Sequence, residues 1–110
     1  MIKKLLALDG VMVVCQFRDD GTLVEAHGMG EEDMMLRLAK FAYDFKRMVQ
    51  ANADQLSMFT QMSGWAPSQG WVVRGPELSA CSVGNLVCII SSGQASLTEV
   101  MTNLAEVAHW

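Results

Sequence analysis

Histidine and basic charge are both scarce in this 110-residue sequence. Two histidines leave little imidazole for acid–base work, and no HExxH, GxSxG or zinc-type spacing occurs. Eight Lys and Arg against twelve Asp and Glu give a formal net charge of −4. Phosphate contacts need a basic footprint, so nucleic acid is set aside as a partner. Cysteine is limited to three residues with no CxxC, a count that suits a reducing cytoplasm better than a disulfide scaffold. The longest apolar stretches, Val11–Cys15 and Leu86–Ile90, fall far short of the roughly 18 residues of a membrane span. The opening Met1–Leu8 has the look of a secretory leader, but Asp9 and Gly10 cut its apolar core too early for one.

What is present describes a packed domain. Half of the residues are apolar (51%) and only 18% are charged, which excludes disorder and predicts a single domain over residues 1–110.

Ile2, Leu5 and Leu6 have helical spacing, and Gly10 is placed to close a short amphipathic helix. Val11–Phe17 is β-branched and bounded by Gly10 and by Arg18-Asp19-Asp20-Gly21. Asp20-Gly21 offers the positive φ of a tight hairpin, so Thr22–Ala26 is expected to return as a second strand. From Glu31 to about Ser63 no proline intervenes, and Glu31, Glu32 and Asp33 suit the positive end of a helix dipole. On that helix Met34, Leu38, Phe41, Ala42, Phe45, Met48, Val49, Leu56 and Phe59 form one apolar stripe, with Arg37, Lys40, Asp44 and Arg47 opposite. A continuous helix of this span would reach about 50 Å at 1.5 Å per residue, more than a domain of this size is wide. Either it breaks near Asn52–Asp54 or one end needs a partner. Asn52, central in the stripe, either fixes the register of a helix pair or marks the break.

Trp71–Arg74 reads as an edge strand because Gly75-Pro76 follows it. Leu78–Val83 and Leu86–Ser92 flank Gly84-Asn85, a two-residue hairpin signal, and Leu86–Ile90 is apolar enough to be a central strand. Ser96–Glu99 is a capping box, opening a last helix with the stripe Leu97, Val100, Met101, Leu104 and Val107/Ala108.

The order α-β-β-α-β-β-β-α, the opening Leu5–Val11 with its Gly-Val step, and the Asp19–Gly21 turn resemble the Roadblock (dynein light-chain) superfamily. The run Trp65, Pro67, Gln69–Trp71 and Val83–Ile90 looks like a subgroup of small bacterial proteins within it. The resemblance implies an α/β (α+β) domain of Roadblock/profilin-like type. Its five-stranded antiparallel sheet would carry the long helix on one face and the terminal helices on the other. It further implies a homodimer made by edge strands and long helices, a non-enzymatic adaptor role, and, for bacterial members, regulation of small Ras-like GTPases.

The residues themselves point the same way. An overlong helix and an edge strand without protecting lysines, both near tryptophans, favour a two-fold contact. Phe45, Met48, Asn52, Phe59, Met62, Trp65, Trp71 and Val73 are the expected dimer residues; Trp65 and Trp71 would alternatively cap the internal core.

Three chemical alternatives remain. Counting out from Gly84-Asn85 sets Cys81 opposite Cys88, at a separation of about 5.5 Å that a disulfide can span; the two are a redox pair or simply small buried hydrophobes. His27 with Gly28-Met29-Gly30 has the shape of a phosphate loop, but Glu31–Asp33 occupy the anion's place and no lysine is near. Met58 and Met62 are spaced to bind a soft metal or to fill a core. The expected protein has neither catalytic site nor cofactor, and its partners are itself and another protein.

Overall fold

Residues 2–52 and 70–108 are described by the computed structural model. The chain begins with a 3-10 helix, Ile2–Ala7, rather than a turn of α-helix. Six residues are too few to repay α-helix nucleation, and the chain instead closes short bonds such as Leu8 N–H to Leu5 O at 3.2 Å. Ile2 and Leu5 are buried by it. Gly10, with φ +82°, turns the chain into the sheet.

Five strands follow: β1 (Val11–Phe17), β2 (Leu23–Gly28), β3 (Gly70–Arg74), β4 (Leu78–Val83) and β5 (Leu86–Ser91). All neighbouring pairs are antiparallel, in the order β2-β1-β5-β4-β3. Thus β3 is an edge strand and β5 is central, as their sequences predict. The hairpin turns are those read from Asp20-Gly21 and Gly84-Asn85, with Gly21 at φ +87° and Gly84 at φ +58°. The second strand runs two residues further than expected, to Gly28.

Among the described residues two α-helices pack on opposite faces of this sheet: α1 (Glu32–Ala51) and α2 (Leu97–Val107). The α2 cap is the expected one, Glu99 N–H donating to Ser96 Oγ at 3.4 Å. Because side chains alternate along a strand, the sheet separates two apolar layers. Val14, Cys81, Val83, Leu86, Cys88 and Ile90 meet Ile2 and Leu5 of the 3-10 helix and Val100 and Leu104 of α2. On the other face Val13, Cys15, Phe17, Trp71 and Val87 meet Met35, Ala39 and Ala42 of α1.

The pairing register slips twice, once between β1 and β2 at Gln16/Phe17 and once between β1 and β5. Between Val11 and Val13 the β1–β5 register shifts, so that Met12 joins Val13 on the α1 face. The freed Met12 carbonyl accepts from Met29 N–H at 3.0 Å. Gly28, at φ +120°, makes this possible, since a Cβ there would strike the Met12 oxygen.

The helix α1 stops at Ala51, with Asn52 as its C-cap at φ −101° and ψ 4°. Asn52 Nδ2 donates to Met48 O at 2.8 Å. Of the two readings of Asn52, the helix end is what the backbone adopts. The twenty residues of α1 make it about 30 Å long.

Candidate functional site

Of the stripe drawn along α1 from sequence, Leu38, Ala42, Phe45 and Val49 pack toward the sheet, Met34, Phe41 and Met48 stay exposed, and Leu56 and Phe59 lie outside the described residues. The deepest positions of the helix are Met35, Ala39 and Ala42, of which Met35 and Ala39 lay outside the expected stripe. Two alanines let the helix axis approach the sheet closely, which bulkier residues would prevent. Leu38, Phe45 and Val49 pack at the margin of this contact. Met34, Phe41 and Met48 remain 42%, 44% and 52% exposed. These three are each seven residues apart and so fall on one line of the helix. Among the described residues, roughly half of the apolar arc of α1 is therefore uncovered.

That line is joined to the edge of the sheet. Trp71 of β3 lies beneath α1, its ring centroid 4.6 Å from that of Phe45 and 5.8 Å from that of Phe41 in an edge-on contact. Of the two places the sequence leaves open for Trp71, a dimer interface or the internal core, it takes the core: it is 8% exposed, beneath α1. Its Nε1–H is buried without an acceptor among the described residues. Val73, two residues on and on the same face of β3, is 41% exposed. Among the described residues β3 pairs only with β4, leaving its outer backbone groups free of any ladder. The result is a surface made of Met34, Phe41, Met48, Val73 and an open strand. Of the expected interface residues, Phe45, Met48, Asn52, Trp71 and Val73 lie on or beside it; Phe59, Met62 and Trp65 lie outside the described residues, as does Met58.

Charges border the surface on its solvent side. Arg37 lies 3.2 Å from Asp33, and Lys40 the same distance from Asp44, the i, i+4 pairs expected from sequence. Lys40 and Arg47 also flank the ring of Tyr43, at 5.2 and 5.7 Å from its centroid.

The chemically suggestive residues are engaged elsewhere. Cys81 and Cys88 face one another across β4 and β5, as counted from the turn, and both are fully buried. Their shared hydrogen bond favours the thiolate on Cys81 and, with burial, drives Cys88 far above the ordinary thiol range. Cys15 lies on the opposite face of the sheet, its thiol pushed up to about 11 by burial. His27 Nε2 is 3.6 Å from Glu25 Oε2 on the outer strand β2. Asp20 accepts from Thr22 N–H at 3.0 Å and Thr22 Oγ1 at 2.7 Å, bonds that hold its carboxyl below the usual range while they shape the hairpin. A 530 Å³ depression beside that hairpin, lined in part by Arg18 and Asp20, opens widely to solvent. No three His, Cys, Asp or Glu side chains among the described residues converge to hold a metal. Among these residues no helix is long and apolar enough to cross a membrane.

A five-stranded antiparallel sheet of order 2-1-5-4-3 with one long helix on a single face defines the Roadblock/LC7 fold. The Roadblock/LC7 domain from Streptomyces avermitilis is similar over 94% of this chain and 88% of its own, with a TM-score of 0.76 and 12% identity. The gliding protein MglB from Thermus thermophilus is similar over 96% and 80%, with a TM-score of 0.76 and 17% identity. A structure described as MglB with tetrameric arrangement is similar over 96% and 79%, with a TM-score of 0.75 and 19% identity. At these identities the likeness is one of fold. Residues 1–106 match the family model described as "Uncharacterized conserved protein (DUF2173)", and the chain belongs to that family. No curated protein matches the sequence.

Proposed function

We propose that this protein is a non-enzymatic cytoplasmic docking module that works as a homodimer. Two copies join through the exposed line of α1 and the open edge of β3, and the paired surface receives another protein. A small Ras-like GTPase is the partner to test first.

The observation that carries this reading is the exposed line Met34, Phe41 and Met48, which meets β3 at the Phe41–Trp71 contact, a strand that among the described residues pairs with β4 alone. Exposed apolar patches next to a free edge mark contact surfaces in soluble proteins. One structure of similar fold is described in a tetrameric arrangement, which supports self-association as a use of this fold. The non-enzymatic part of the reading is supported by how the reactive groups are used: thiols buried, Asp20 bonded to Thr22, His27 beside Glu25.

Light scattering at tens of micromolar protein tests the dimer. Twice the chain mass is expected for the wild type and the chain mass for Met48→Glu with its circular dichroism unchanged. A wild-type monomer overturns the reading. For the partner, the hydrolysis rate and binding of a Ras-like GTPase encoded beside this gene are measured with and without the protein. No binding and no change in rate remove that candidate.

A further inference from the structure

We infer that Arg37 and Asp44 set the register and the selectivity of the α1 contact. In an antiparallel pairing centred on Phe41, Arg37 of each copy meets Asp44 of the other. The inference rests on the homodimer reading above and adds the register in which the second copy is seated and the charged pair that sets it.

The apolar positions along α1 fall at Met34, Leu38, Phe41, Phe45 and Met48, spaced four, three, four and three. That is heptad spacing, with Met34, Phe41 and Met48 exposed for a second helix and Leu38 and Phe45 at the margin of the chain's own core. The two flanks of this line differ in kind. On one flank Met35, Ala42 and Val49 turn toward the chain's own sheet, so that side is already spent. On the other flank stand Arg37 and Asp44, with side chains 82% and 57% exposed.

Antiparallel helices bring like flanks together, whereas parallel helices bring opposite flanks together. A parallel pairing would therefore aim Arg37 at a flank buried under the other copy's sheet. It would also place the two sheets on opposite sides of the helix pair, so that the β3 edges could not approach. An antiparallel pairing has its two-fold axis perpendicular to the helices. It keeps both sheets on one side, where the β3 edges can meet, and sets the charged flanks against each other.

With the axis at Phe41, Arg37 lies four residues before the centre and Asp44 three after it. The mismatch of one residue is about 1.5 Å along the helix, within reach of an arginine side chain. Symmetry makes the contact twice. Each member already has a neighbour of opposite sign in its own helix, Asp33 for Arg37 and Lys40 for Asp44. The charges then alternate along each crossing: Asp33, Arg37, then Asp44 and Lys40 of the second copy. Like charges at these places would repel, and so a helix without this pattern is disfavoured as a partner.

Charge exchange tests the register. Arg37→Asp leaves two acidic groups on the flank and Asp44→Arg leaves two basic ones. By sedimentation equilibrium, each variant alone is expected to dimerise at least tenfold more weakly than the wild type. An equimolar mixture of the two is expected to form a heterodimer within about threefold of wild-type affinity. Recovery on mixing also shows that both variants are folded. The neutral pair Arg37→Gln with Asp44→Asn gives a second reading, a dimer constant less sensitive to salt than the wild type's. Wild-type affinity in both single variants, or no gain on mixing, overturns the register and leaves the homodimer standing. A monomeric wild type removes both.

Discussion

The rings of Phe45 and Trp71 lie 4.6 Å apart at an interplanar angle of 39°, joining the long helix to the outermost strand of the sheet. This contact fixes where α1 crosses β3, and with it the position of the exposed line Met34, Phe41 and Met48 relative to the open edge.

Truncating the tryptophan should be costly. Trp71→Ala removes the largest side chain at this end of the core and is expected to cost about 3–5 kcal/mol in urea unfolding at fixed protein concentration. Trp71→Phe should cost less than half of that. It keeps an aromatic ring against Phe45 and gives up an N–H that has no acceptor among the described residues.

Gly28→Ala should destabilise by about 2 kcal/mol or more, since it forces a left-handed backbone on a residue with a Cβ and drives that atom into the Met12 carbonyl. Gly93→Ala is the control: a Cβ there meets nothing within 4 Å. A smaller loss at Gly28 than at Gly93 by thermal melting would show that the bulge at Met12 is not held by this glycine.

The three thiols should be inert in the folded protein. Cys15, Cys81 and Cys88 are all buried, so a maleimide is expected to label none of them under reducing native conditions and all of them in denaturant. Rapid native labelling of Cys81 or Cys88, with Cys81→Ser or Cys88→Ser losing function but not fold, would instead favour the redox use of that pair.

Alkali should weaken the fold partly through Cys15. Its thiol pKa is about 11 when folded and 9.0 when free, so above pH 9 the unfolded chain releases a proton that the folded chain keeps. Stability is therefore lost as pH rises from about 9 to 11, by roughly 2–3 kcal/mol for a shift of this size. Cys15→Ala should lose less over that interval in denaturant titrations under reductant. Equal slopes for the two proteins would contradict the burial effect.

Where a residue's neighbours in sequence determine its structure, the fold was legible. Gly10 and Asp20-Gly21 bracket β1 at the bounds it adopts, and Gly84-Asn85 sets the register that opposes Cys81 to Cys88. The edge position of β3 followed from Gly75-Pro76. The centre of the α1 contact did not follow, because Met34 and Met35 are equally apolar and only the sheet decides which one it covers. The bulge at Met12 was hidden for a similar reason: the glycine that permits it lies in the next strand. Trp71 stayed undecided between interface and core because the pattern of β3 shows an edge but not the two phenylalanines above it. The candidate surface was thus half legible, its helix and strand foreseen and its partition between core and exterior not.

The placement of β1 has a consequence for how the protein is made. β1 leaves the ribosome first among the strands, yet it pairs with β5, and the layer beneath Val14 is closed only when α2 supplies Val100 and Leu104. Until then the emerging hairpin of β1 and β2 has one bare apolar side. Such distant pairing slows folding and exposes nascent chain to wrong associations. Ribosome-bound chains arrested before residue 97 should therefore engage chaperones, and release should follow once Leu97–Val107 has emerged and docked.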